Sequence, residues 1–541
     1  MVDLLIIGAG GAGLSAALHA HKENATVMVV GKASPTTAQT SMAQGGINAA
    51  LGNITPDSIQ AHIEDTLKSS HGLCNPQMVE QLCSQAPETI AWLDQLGVPF
   101  DRTQAGKVAQ RQLGGASSKR ACYAQDYTGL KILHTLYDNL LKAEIPVEEN
   151  LFLLNLIVAD QQVLGATFWD TTQGKVRAIY ANTTLIATGG YGALYKNFTT
   201  NSEGATGDGI AAVLRAGGWI SDMEFVQFHP TALKSSATLI SESARGEGGY
   251  LINRKGERFV DELLPRDVVA RAIFEQINQG EAVFLDLRHL GKEKLLELMP
   301  QEIHLARLHE GVDPITELIP IKPVAHYTMG GIDVNEHLQV TGLSHCYAVG
   351  ECSNAKIHGA NRLGGNSLLE IIALGAKAAQ HAISMAKNSS NPNTPHPQEH
   401  KDQAYIDSLF EEYPWEKNFY EIQAQLSSDF YRYAGIVRDN QELNNFLNEL
   451  RVIRADLDNM GIGDKSRTQN SNLIDFLQFQ NLLEIGEVVL DAALVRDESR
   501  GAHHKPAFPK EDDALFRAHA CYWLENNVLQ SKLIKVVSPC N

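Results

Sequence analysis

The chain has 541 residues, of which 44% are hydrophobic and 20% are charged, and its formal net charge is −18. A chain of this length is too long for one hydrophobic core, so two to four domains are expected. The negative charge argues against nucleic acid or an anionic membrane as a direct partner, although a local cluster of Arg and His could still bind small anions. The seven cysteines are scattered without the close spacing of a zinc or iron–sulfur site, so no metal site is expected.

The sequence predicts a cytoplasmic protein that does not insert into a membrane. The odd number of cysteines and the lack of a signal peptide indicate a reducing compartment. The first predicted strand begins almost at Met1, and no apolar run approaches the roughly 20 residues needed to cross a bilayer. Any association with a membrane is therefore expected to occur on its cytoplasmic face, through a partner subunit.

The N-terminal segment has the pattern of a dinucleotide-binding unit. An apolar run from Asp3 to Gly8 leads into a glycine-rich turn at 8–13, an Ala- and Leu-rich helix from Leu14 and a second apolar run from Thr26 to Val30. This order predicts a nucleotide whose pyrophosphate lies at the helix N-terminus. Lys32 follows the second strand where an acidic residue is usual, and a Lys would contact phosphate or ring rather than ribose hydroxyls.

Later segments add to this unit and to a second site. Thr184–Gly190 is a strand that ends in a glycine turn, and the strand Cys346–Gly350 ends in Glu351. Small and polar residues from His358 to Gly365 then lead into an apolar helix, with Arg362 in their middle. Gly and Asn let the backbone approach a planar ligand, and a fixed Arg beside it suits a carboxylate. The sequence therefore suggests a cofactor stacked next to a small acid.

Four basic side chains lie in motif-like settings far apart in the chain, namely His229, Arg266, His326 and Arg362. Burying a small acid is costly unless its carboxylate meets a cation or several donors. His229, His326 and Arg362 are the natural binders, and Ser241 could add a hydroxyl donor.

These motifs resemble the succinate dehydrogenase/fumarate reductase flavoprotein family, whose close relative is L-aspartate oxidase. The resemblance covers about residues 3–515, and residues from about Ala518 onward match only loosely. It implies an α/β fold with a glutathione-reductase-like FAD-binding domain, an inserted α+β capping domain and a C-terminal helical domain. The expected boundaries are 1–221 and 326–387 for the FAD-binding domain, 222–325 for the cap, 388–401 for an Asn-, Ser- and Pro-rich linker, 402–515 for the helical domain and 516–541 for a C-terminal extension.

The family also implies roles for particular residues. Arg266 matches the family's proton donor and acceptor. Because a guanidinium group is a poor general acid on its own, it needs a relay that resupplies its proton. Glu242 and Arg245 match the partners in that relay, and the alternative for these two residues is an ordinary buried ion pair. Reduced flavin would give hydride to one alkene carbon of fumarate while Arg266 protonates the other, and Arg362 and His326 would polarise a carboxylate. The residues expected to bind FAD are Gly8, Gly10, Gly11, Gly13, Lys32, Thr40, Gln44, Gly45, Gly46, Thr188, Gly189, Asp208, Glu351, Asn366, Ser367 and Leu368.

Gln39 stands where many members of the family carry a His that links FAD covalently. Residues 36–41 contain no His, so we expect FAD to be noncovalent. In the family, loss of the link lowers the flavin potential, which favours fumarate reduction over succinate oxidation. Because the chain has no cluster motif, its electrons should come from a separate iron–sulfur subunit, with anchor or other redox subunits as further partners.

Two alternatives stay open. L-Aspartate oxidase, which makes iminoaspartate for NAD biosynthesis, also binds FAD noncovalently, but it typically places a Glu before a Gly-Gly pair to meet the substrate ammonium. Here Leu113 precedes that pair, and the segments 128–136 and 496–503 look like the dehydrogenase/reductase branch. A non-enzymatic flavin carrier or assembly protein is the other alternative, and the four basic side chains argue against it.

Overall fold

The computed structural model describes residues 2–387, 396–411 and 416–536. The strands are β1 (Val2–Ile7), β2 (Val27–Val30), β3 (Ile47–Asn48), β4 (Gln110–Arg111), β5 (Ala121–Cys122), β6 (Val147–Glu148), β7 (Leu151–Ala159), β8 (Gln162–Asp170), β9 (Lys175–Ile186), β10 (Ile220–Ser221), β11 (Val226–Leu233), β12 (Tyr250–Asn253), β13 (Val283–Asp286), β14 (Ile319–Thr328), β15 (Gly331–Asp333), β16 (Cys346–Ala348), β17 (Ser353–Asn354), β18 (Ala518–Glu525) and β19 (Val528–Lys535). The helices are α1 (Gly11–Lys22), α2 (Ile59–Ser69), α3 (Pro76–Leu96), α4 (Thr128–Lys142), α5 (Asp208–Arg215), α6 (Glu242–Gly246), α7 (Arg266–Asn278), α8 (Lys292–Leu298), α9 (Pro300–His309), α10 (Asn366–Ala386), α11 (Gln398–Leu409), α12 (Phe419–Tyr433), α13 (Asn440–Ala455), α14 (Ser471–Val495) and α15 (Asp513–Phe516).

The FAD-binding domain is built on a sheet with the order β6-β2-β1-β9-β8-β7, in which β16 also pairs with β9. Strands β1, β2, β6, β9 and β16 pair in parallel with one another, whereas β8 pairs antiparallel with both β9 and β7. The last four residues of β1 are buried, as expected for a parallel strand covered on both faces. The expected strand, glycine turn, helix and strand order is therefore present, although α1 begins at Gly11 rather than at Leu14.

The inserted cap has a sheet and a hydrophobic core of its own. Its strands have the order β11-β14-β13-β12, and its helices are α6 to α9. A separate core joins the apolar side chains of these elements, among them Leu233, Ile273 and Ile303. Strand β14 continues to Thr328, across the expected boundary after residue 325. Because its core is separate, the cap packs on the FAD-binding domain as a second body.

The C-terminal part contains helices α11 to α14 and then a β-hairpin. The hairpin β18–β19 extends a five-stranded sheet, β17-β15-β10-β18-β19, so residues 518–535 are part of the fold rather than a loose extension. Of the expected linker, 388–395 lie outside the described residues, and α11 already begins at Gln398. No helix in the described ranges is both long and apolar enough to span a membrane.

Candidate active site

A cavity of about 480 Å³ lies between the glycine-rich turns of the FAD-binding domain and the cap. It brings together most of the residues that the sequence singled out. Those lining it are Gly8, Gly10, Gly11, Lys32, Thr40, Gln44, Gly45, Gly46, Thr188, Gly189, Asp208, His229, Ser241, Glu242, Arg266, His326, Glu351, Arg362, Ser367 and Leu368. Nucleotide-type turns and the basic side chains thus line one continuous space.

Three expected site residues do not line the cavity. The amide of Asn366 is engaged inside the protein, where Oδ1 accepts from Asn48 Nδ2 at 2.8 Å and pairs with His62 Nε2 at 2.9 Å. Its Nδ2 donates to Thr66 Oγ1 at 3.0 Å. Gly13 and Arg245 act from behind the wall, as described below. A sequence motif predicts which residues belong to a site, but it does not reveal the direction in which each side chain points.

The glycine turn makes room for a ligand at the start of α1. Gly8 has a φ of +117°, and a Cβ on it would lie 2.1 Å from the carbonyl oxygen of Ala187. A Cβ on Gly13 would lie 1.9 Å from the Gly8 oxygen, so this residue packs the helix against the strand. A Cβ on Gly10 would meet nothing closer than 3.6 Å and would instead fill cavity space. This space at a helix N-terminus suits a phosphate group.

Two charged residues contact the nucleotide end of the cavity. Lys32 Nζ donates to Gly204 O at 2.7 Å, Thr206 Oγ1 at 3.0 Å and Asp208 Oδ2 at 2.7 Å. All three ammonium hydrogens are therefore used within the protein, so Lys32 fixes this loop and contributes charge rather than a further N–H. At the opposite side, burial raises the pKa of Glu351 to about 7, and its Oε1 accepts from Thr328 N at 3.0 Å. Its carboxyl can accept hydrogen bonds from ribose-type hydroxyls.

His229 on β11 and His326 on β14 face each other across the cap end of the cavity. Their ring centroids are 4.8 Å apart. Burial lowers the pKa of both imidazoles well below the usual value, and the charge of Arg266 lowers them further. His229 Nδ1 accepts from the Thr231 amide at 3.2 Å, which leaves its Nε2 as the N–H donor. His326 Nδ1 pairs with Thr200 Oγ1 at 2.7 Å.

Arg266, Glu242 and Arg245 form one buried chain of charges. Arg266 Nη2 lies 2.7 Å from Glu242 Oε2, and Arg245 Nη2 lies 3.2 Å from Glu242 Oε1. Burial raises the pKa of Glu242, but the two guanidinium charges outweigh it and hold the value at about 2. Arg266 Nη1 also donates to Gln227 Oε1 at 2.9 Å. Arg266 is thus fixed at the cavity wall, with Glu242 between it and Arg245.

Arg362 presents a buried guanidinium to the same cavity. Its Cζ lies 4.3 Å from the centre of the Tyr327 ring, and its Nε has no protein partner among the described residues. Burial lowers its pKa to about 10, with a further contribution from Arg266, so it remains charged at neutral pH. Ser241 Oγ accepts from Ser243 N at 3.2 Å, which leaves its own hydroxyl hydrogen to donate. These donors together suit an anion with two carboxylates.

Sequence reasoning missed three residues that position these groups. Gln227 donates to the Arg362 main-chain oxygen at 2.8 Å and accepts from Arg266, so it fixes both arginines. Thr200 holds His326, and Tyr327 packs on Arg362. Gln227 lies in the same motif as His229, and Tyr327 is adjacent to His326, so both stood within the motifs. Thr200 carried no such signal, since its contact is made across 126 residues.

Comparison with known proteins agrees with this arrangement. Residues 3–368 match the family described as FAD binding domain, and residues 423–536 match fumarate reductase flavoprotein C-term. A succinate dehydrogenase flavoprotein subunit from Rickettsia conorii is 37% identical, over 96% of this chain and 92% of the relative. A fumarate reductase flavoprotein subunit from Mycobacterium tuberculosis is 35% identical, over 97% and 95%. The chain belongs to the succinate dehydrogenase/fumarate reductase flavoprotein family.

The structural comparison confirms the expected fold of this flavoprotein. A quinol fumarate reductase variant from E. coli aligns with a TM-score of 0.92 at 32% identity, over 100% of this chain and 97% of that one. The C-terminal match reaches residue 536, so the expectation that the chain matches only loosely after about Ala518 was wrong. The hairpin itself is local, but the sheet that it extends is not, because β18 also pairs with β10, about 300 residues earlier.

The cavity fits FAD as the cofactor of this family. The space at Gly10, the start of α1 and the buried Glu351 carboxyl suit the pyrophosphate and ribose of a dinucleotide. Gln39, at the position of the family's flavin-linking His, also lines the cavity, and its Oε1 accepts from Ser202 N at 2.7 Å. The flavoprotein is therefore an FAD-dependent oxidoreductase, and the cavity that suits its dinucleotide is also lined by a cluster of Arg and His side chains.

Proposed function

We propose that this flavoprotein interconverts fumarate and succinate and works mainly as a fumarate reductase. The observation that carries the proposal is the single cavity in which the dinucleotide turns meet His229, His326, Arg266 and Arg362. Two neutral imidazoles and two guanidinium groups supply donors for both ends of a four-carbon diacid. The relatives named as succinate dehydrogenase and fumarate reductase subunits support the same substrate class.

Each side chain has a role in the proposed reaction. FAD in its two-electron-reduced form, when bound in this cavity, would supply the hydride that adds to one alkene carbon of fumarate. His229 and Ser241 bind one carboxylate, and Arg362 and His326 bind and polarise the other, which stabilises negative charge that develops next to it. Arg266 donates the proton to the second carbon, so that fumarate, one hydride and one proton give succinate. In the reverse direction Arg266 removes that proton.

Arg266 needs a supply of protons, which Glu242 and Arg245 are placed to give. The Glu242 carboxylate contacts both guanidinium groups, and all three side chains are buried. A proton that leaves Arg266 can be replaced through Glu242 from Arg245. The alternative for Glu242 and Arg245, a purely structural ion pair, predicts that Glu242→Gln changes stability without lowering the proton-transfer rate. A solvent deuterium isotope effect that rises in this variant favours the relay.

We further propose that FAD is bound noncovalently. Gln39 has no nucleophilic ring nitrogen, and its amide is engaged with the Ser202 amide. Precipitation of the holoenzyme with acid should release yellow flavin into the supernatant. Flavin retained in the protein pellet would refute this assignment, and with it the argument for a low potential and for the reductive direction.

L-Aspartate oxidation is the second candidate, and Leu113 argues against it. This side chain is buried and lines the cavity, close to Gly45 and on the side of Ser241. A hydrocarbon side chain cannot accept a hydrogen bond from the ammonium group of aspartate, and it penalises burial of that charge. The proposed site therefore binds dicarboxylates that lack an amino group.

Electron supply is proposed to come from a separate iron–sulfur subunit. In the described residues, no group of three or more His, Cys, Asp and Glu side chains could hold a metal ion. The related structures include a quinol-fumarate reductase with menaquinol molecules. Further anchor or redox subunits would then link this flavoprotein to a membrane.

The function is tested by product analysis with an artificial electron donor. Holoenzyme, reduced viologen and fumarate should yield succinate, which mass spectrometry identifies. Arg266→Gln should form none at a measurable rate, while Arg288→Gln, an exposed control in the cap, should match the wild type. Formation of succinate by both variants alike would contradict the proposed role of Arg266.

A further inference from the structure

A buried pair of acids lies where the cap meets the FAD-binding domain, outside the wall of the flavin cavity. We call Asp126 and Glu302 the acid pair. Asp126 precedes α4 of the FAD-binding domain, and Glu302 lies in the first turn of α9 in the cap. Both residues are fully buried. The proposed function assigns them no part in catalysis.

Asp126 ties the cap helix to the other domain. Its Oδ2 accepts hydrogen bonds from the amides of Gln301, at 2.6 Å, and Glu302, at 3.3 Å. These amides belong to the first turn of α9, where a helix has no acceptors of its own. A carboxylate from the FAD-binding domain therefore caps a helix of the cap, and this bond breaks if the two bodies separate.

The remaining oxygens of the acid pair have no donor. Glu302 Oε1, Glu302 Oε2 and Asp126 Oδ1 are buried without a hydrogen-bond partner among the described residues. Two ionised carboxylates in this position would repel each other and would leave these three oxygens without a donor, which is costly in a buried environment. A single proton placed between them provides the missing O–H donor and removes one charge.

The charged surroundings of the acid pair favour this state. Burial raises the pKa of Glu302 well above its ordinary value, Asp126 raises it further, and Arg111 acts in the opposite direction. Tyr127 stays neutral, because burial and the acid pair raise the pKa of its hydroxyl. Arg111 also faces Tyr123 and Glu247, so its charge is shared with other groups.

Arg111 connects the acid pair to the flavin cavity. Its Nε donates to Gly45 O at 2.9 Å and its Nη2 donates to Gln44 O at 3.2 Å. Gln44 and Gly45 line the cavity. The one negative charge that the acid pair keeps favours the charged form of Arg111, which burial disfavours. Asp126 and Glu302 are therefore positioning residues, which act through Arg111 on the loop beside the flavin site.

We propose that Asp126 and Glu302 share one proton when the cap rests on the FAD-binding domain, so that closing the cap takes up a proton. When the cap lifts, Glu302 is exposed to water and ionises at its ordinary pKa of 4.5. At any pH between this ordinary pKa of Glu302 and its raised pKa in the closed form, the closed form therefore binds more protons than the open form. By linkage, closure weakens as the pH rises through this window.

Hydrogen exchange on the holoenzyme tests this directly. The protection of the Gln301 and Glu302 amides, corrected for the intrinsic pH dependence of exchange, should fall by up to tenfold per pH unit within the window. Glu302→Gln replaces the shared proton with a permanent amide donor, so its protection should be independent of pH. Glu293→Gln makes the same chemical change on the exposed surface of the cap and should behave like the wild type.

Binding of malonate, a dicarboxylate that is not reduced, gives a second readout. Its dissociation constant should rise with pH in the wild type and in Glu293→Gln but stay flat in Glu302→Gln. A wild-type protection that does not change with pH, or a Glu302→Gln variant that keeps the wild-type slope, would overturn the proposal. If Glu302→Gln fails to fold, the wild-type slope alone decides. Failure of malonate to bind counts against the proposed function, and the exchange data still test the acid pair.

Discussion

Arg266 illustrates how far a residue can be assigned from sequence. The family resemblance of its motif predicts that it is the proton donor, and the structure places it on the cavity wall with Glu242 and Gln227 as acceptors. The pairing with Glu242 joins residues 24 positions apart and follows from family resemblance. Gln227 could not be assigned, because a neutral amide within a motif carries no chemical signal until its two arginine partners are known.

Replacing Arg266 with Lys should separate charge from geometry. Lys keeps the positive charge but cannot contact Glu242 and Gln227 at once, because it lacks the planar fork of Arg. We expect fumarate turnover to fall by about 10²–10⁴-fold, the usual range for loss of a general acid, while bound flavin stays unchanged. Steady-state kinetics and the flavin absorbance ratio measure both effects. Turnover within a factor of two of the wild type would contradict the assignment.

Thr200 should set the tautomer of His326. If its hydroxyl donates to Nδ1, His326 presents Nε2–H to the substrate. Thr200→Val removes that donor, and we expect KM for fumarate to rise by about tenfold, equivalent to one hydrogen bond, with a smaller change in kcat.

Thr200→Ser keeps the hydroxyl and should restore the wild-type KM. Nitrogen NMR of labelled histidine should show a mixed tautomer for His326 in Thr200→Val only. His229 is the internal control, since its Nδ1 partner is a main-chain amide that no side-chain substitution removes. An unchanged His326 spectrum in Thr200→Val would show that Thr200 does not control the tautomer.

At the scale of elements, the N-terminal unit was predictable because all of its signals are local. The apolar run, the glycine turn and the helix follow one another within 30 residues, and a Cβ on Gly8 or Gly13 would collide with the backbone. The β18–β19 hairpin was not predictable in the same way. Its two strands pair locally through a turn at Asn526 and Asn527, but the sheet that they extend is reached through the two-residue strand β10, in a different part of the chain.

Two glycines of the same turn should respond differently to Ala. Gly13→Ala places a Cβ 1.9 Å from the Gly8 oxygen, and we expect a loss of several kcal/mol of stability, as for overpacking at a rigid backbone contact. Gly10→Ala meets no atom within 3.4 Å and should keep the melting temperature of the apoprotein while it binds FAD more weakly.

Thermal unfolding of the two apoproteins and flavin titration of Gly10→Ala measure these effects. Equal loss of stability in both variants would contradict the view that Gly10 is kept small for the ligand and Gly13 for packing.

At the scale of the whole molecule, the C-terminal hairpin anchors the segment of chain that leads into the cap. His519 on β18 lies 2.6 Å from Asp222, a buried residue between β10 and β11. Burial raises the pKa of Asp222, but His519 and Arg496 outweigh it and lower the value. Since breaking a buried pair typically costs about 3–5 kcal/mol, His519→Ala should lower the unfolding free energy by an amount of that order.

Denaturant unfolding checks this against His337→Ala, a histidine at an exposed position. A change of less than about 0.5 kcal/mol in His519→Ala, the range of ordinary surface substitutions, would show that the hairpin is not a structural anchor.

The order of the domains along the chain was predictable from the sequence, but the contacts between the domains were not. Glycine turns, an interrupting segment and a helical region predicted three parts in the right order. The contacts between them, such as Asp126 with α9 or His519 with Asp222, join residues more than 170 positions apart. These contacts form where folded domains pack against each other, so no local sequence pattern predicts them.

The central claim, that this cavity reduces fumarate, is tested most directly by anaerobic stopped-flow absorbance of the FAD-loaded chain. Reduced enzyme mixed with fumarate should regain its yellow flavin absorbance with one fumarate consumed per flavin, and oxidised enzyme mixed with L-aspartate should not bleach. If fumarate does not reoxidise the flavin, the account is contradicted. Bleaching by L-aspartate would also contradict it, and would show that the true substrate carries the amino group that Leu113 is expected to exclude.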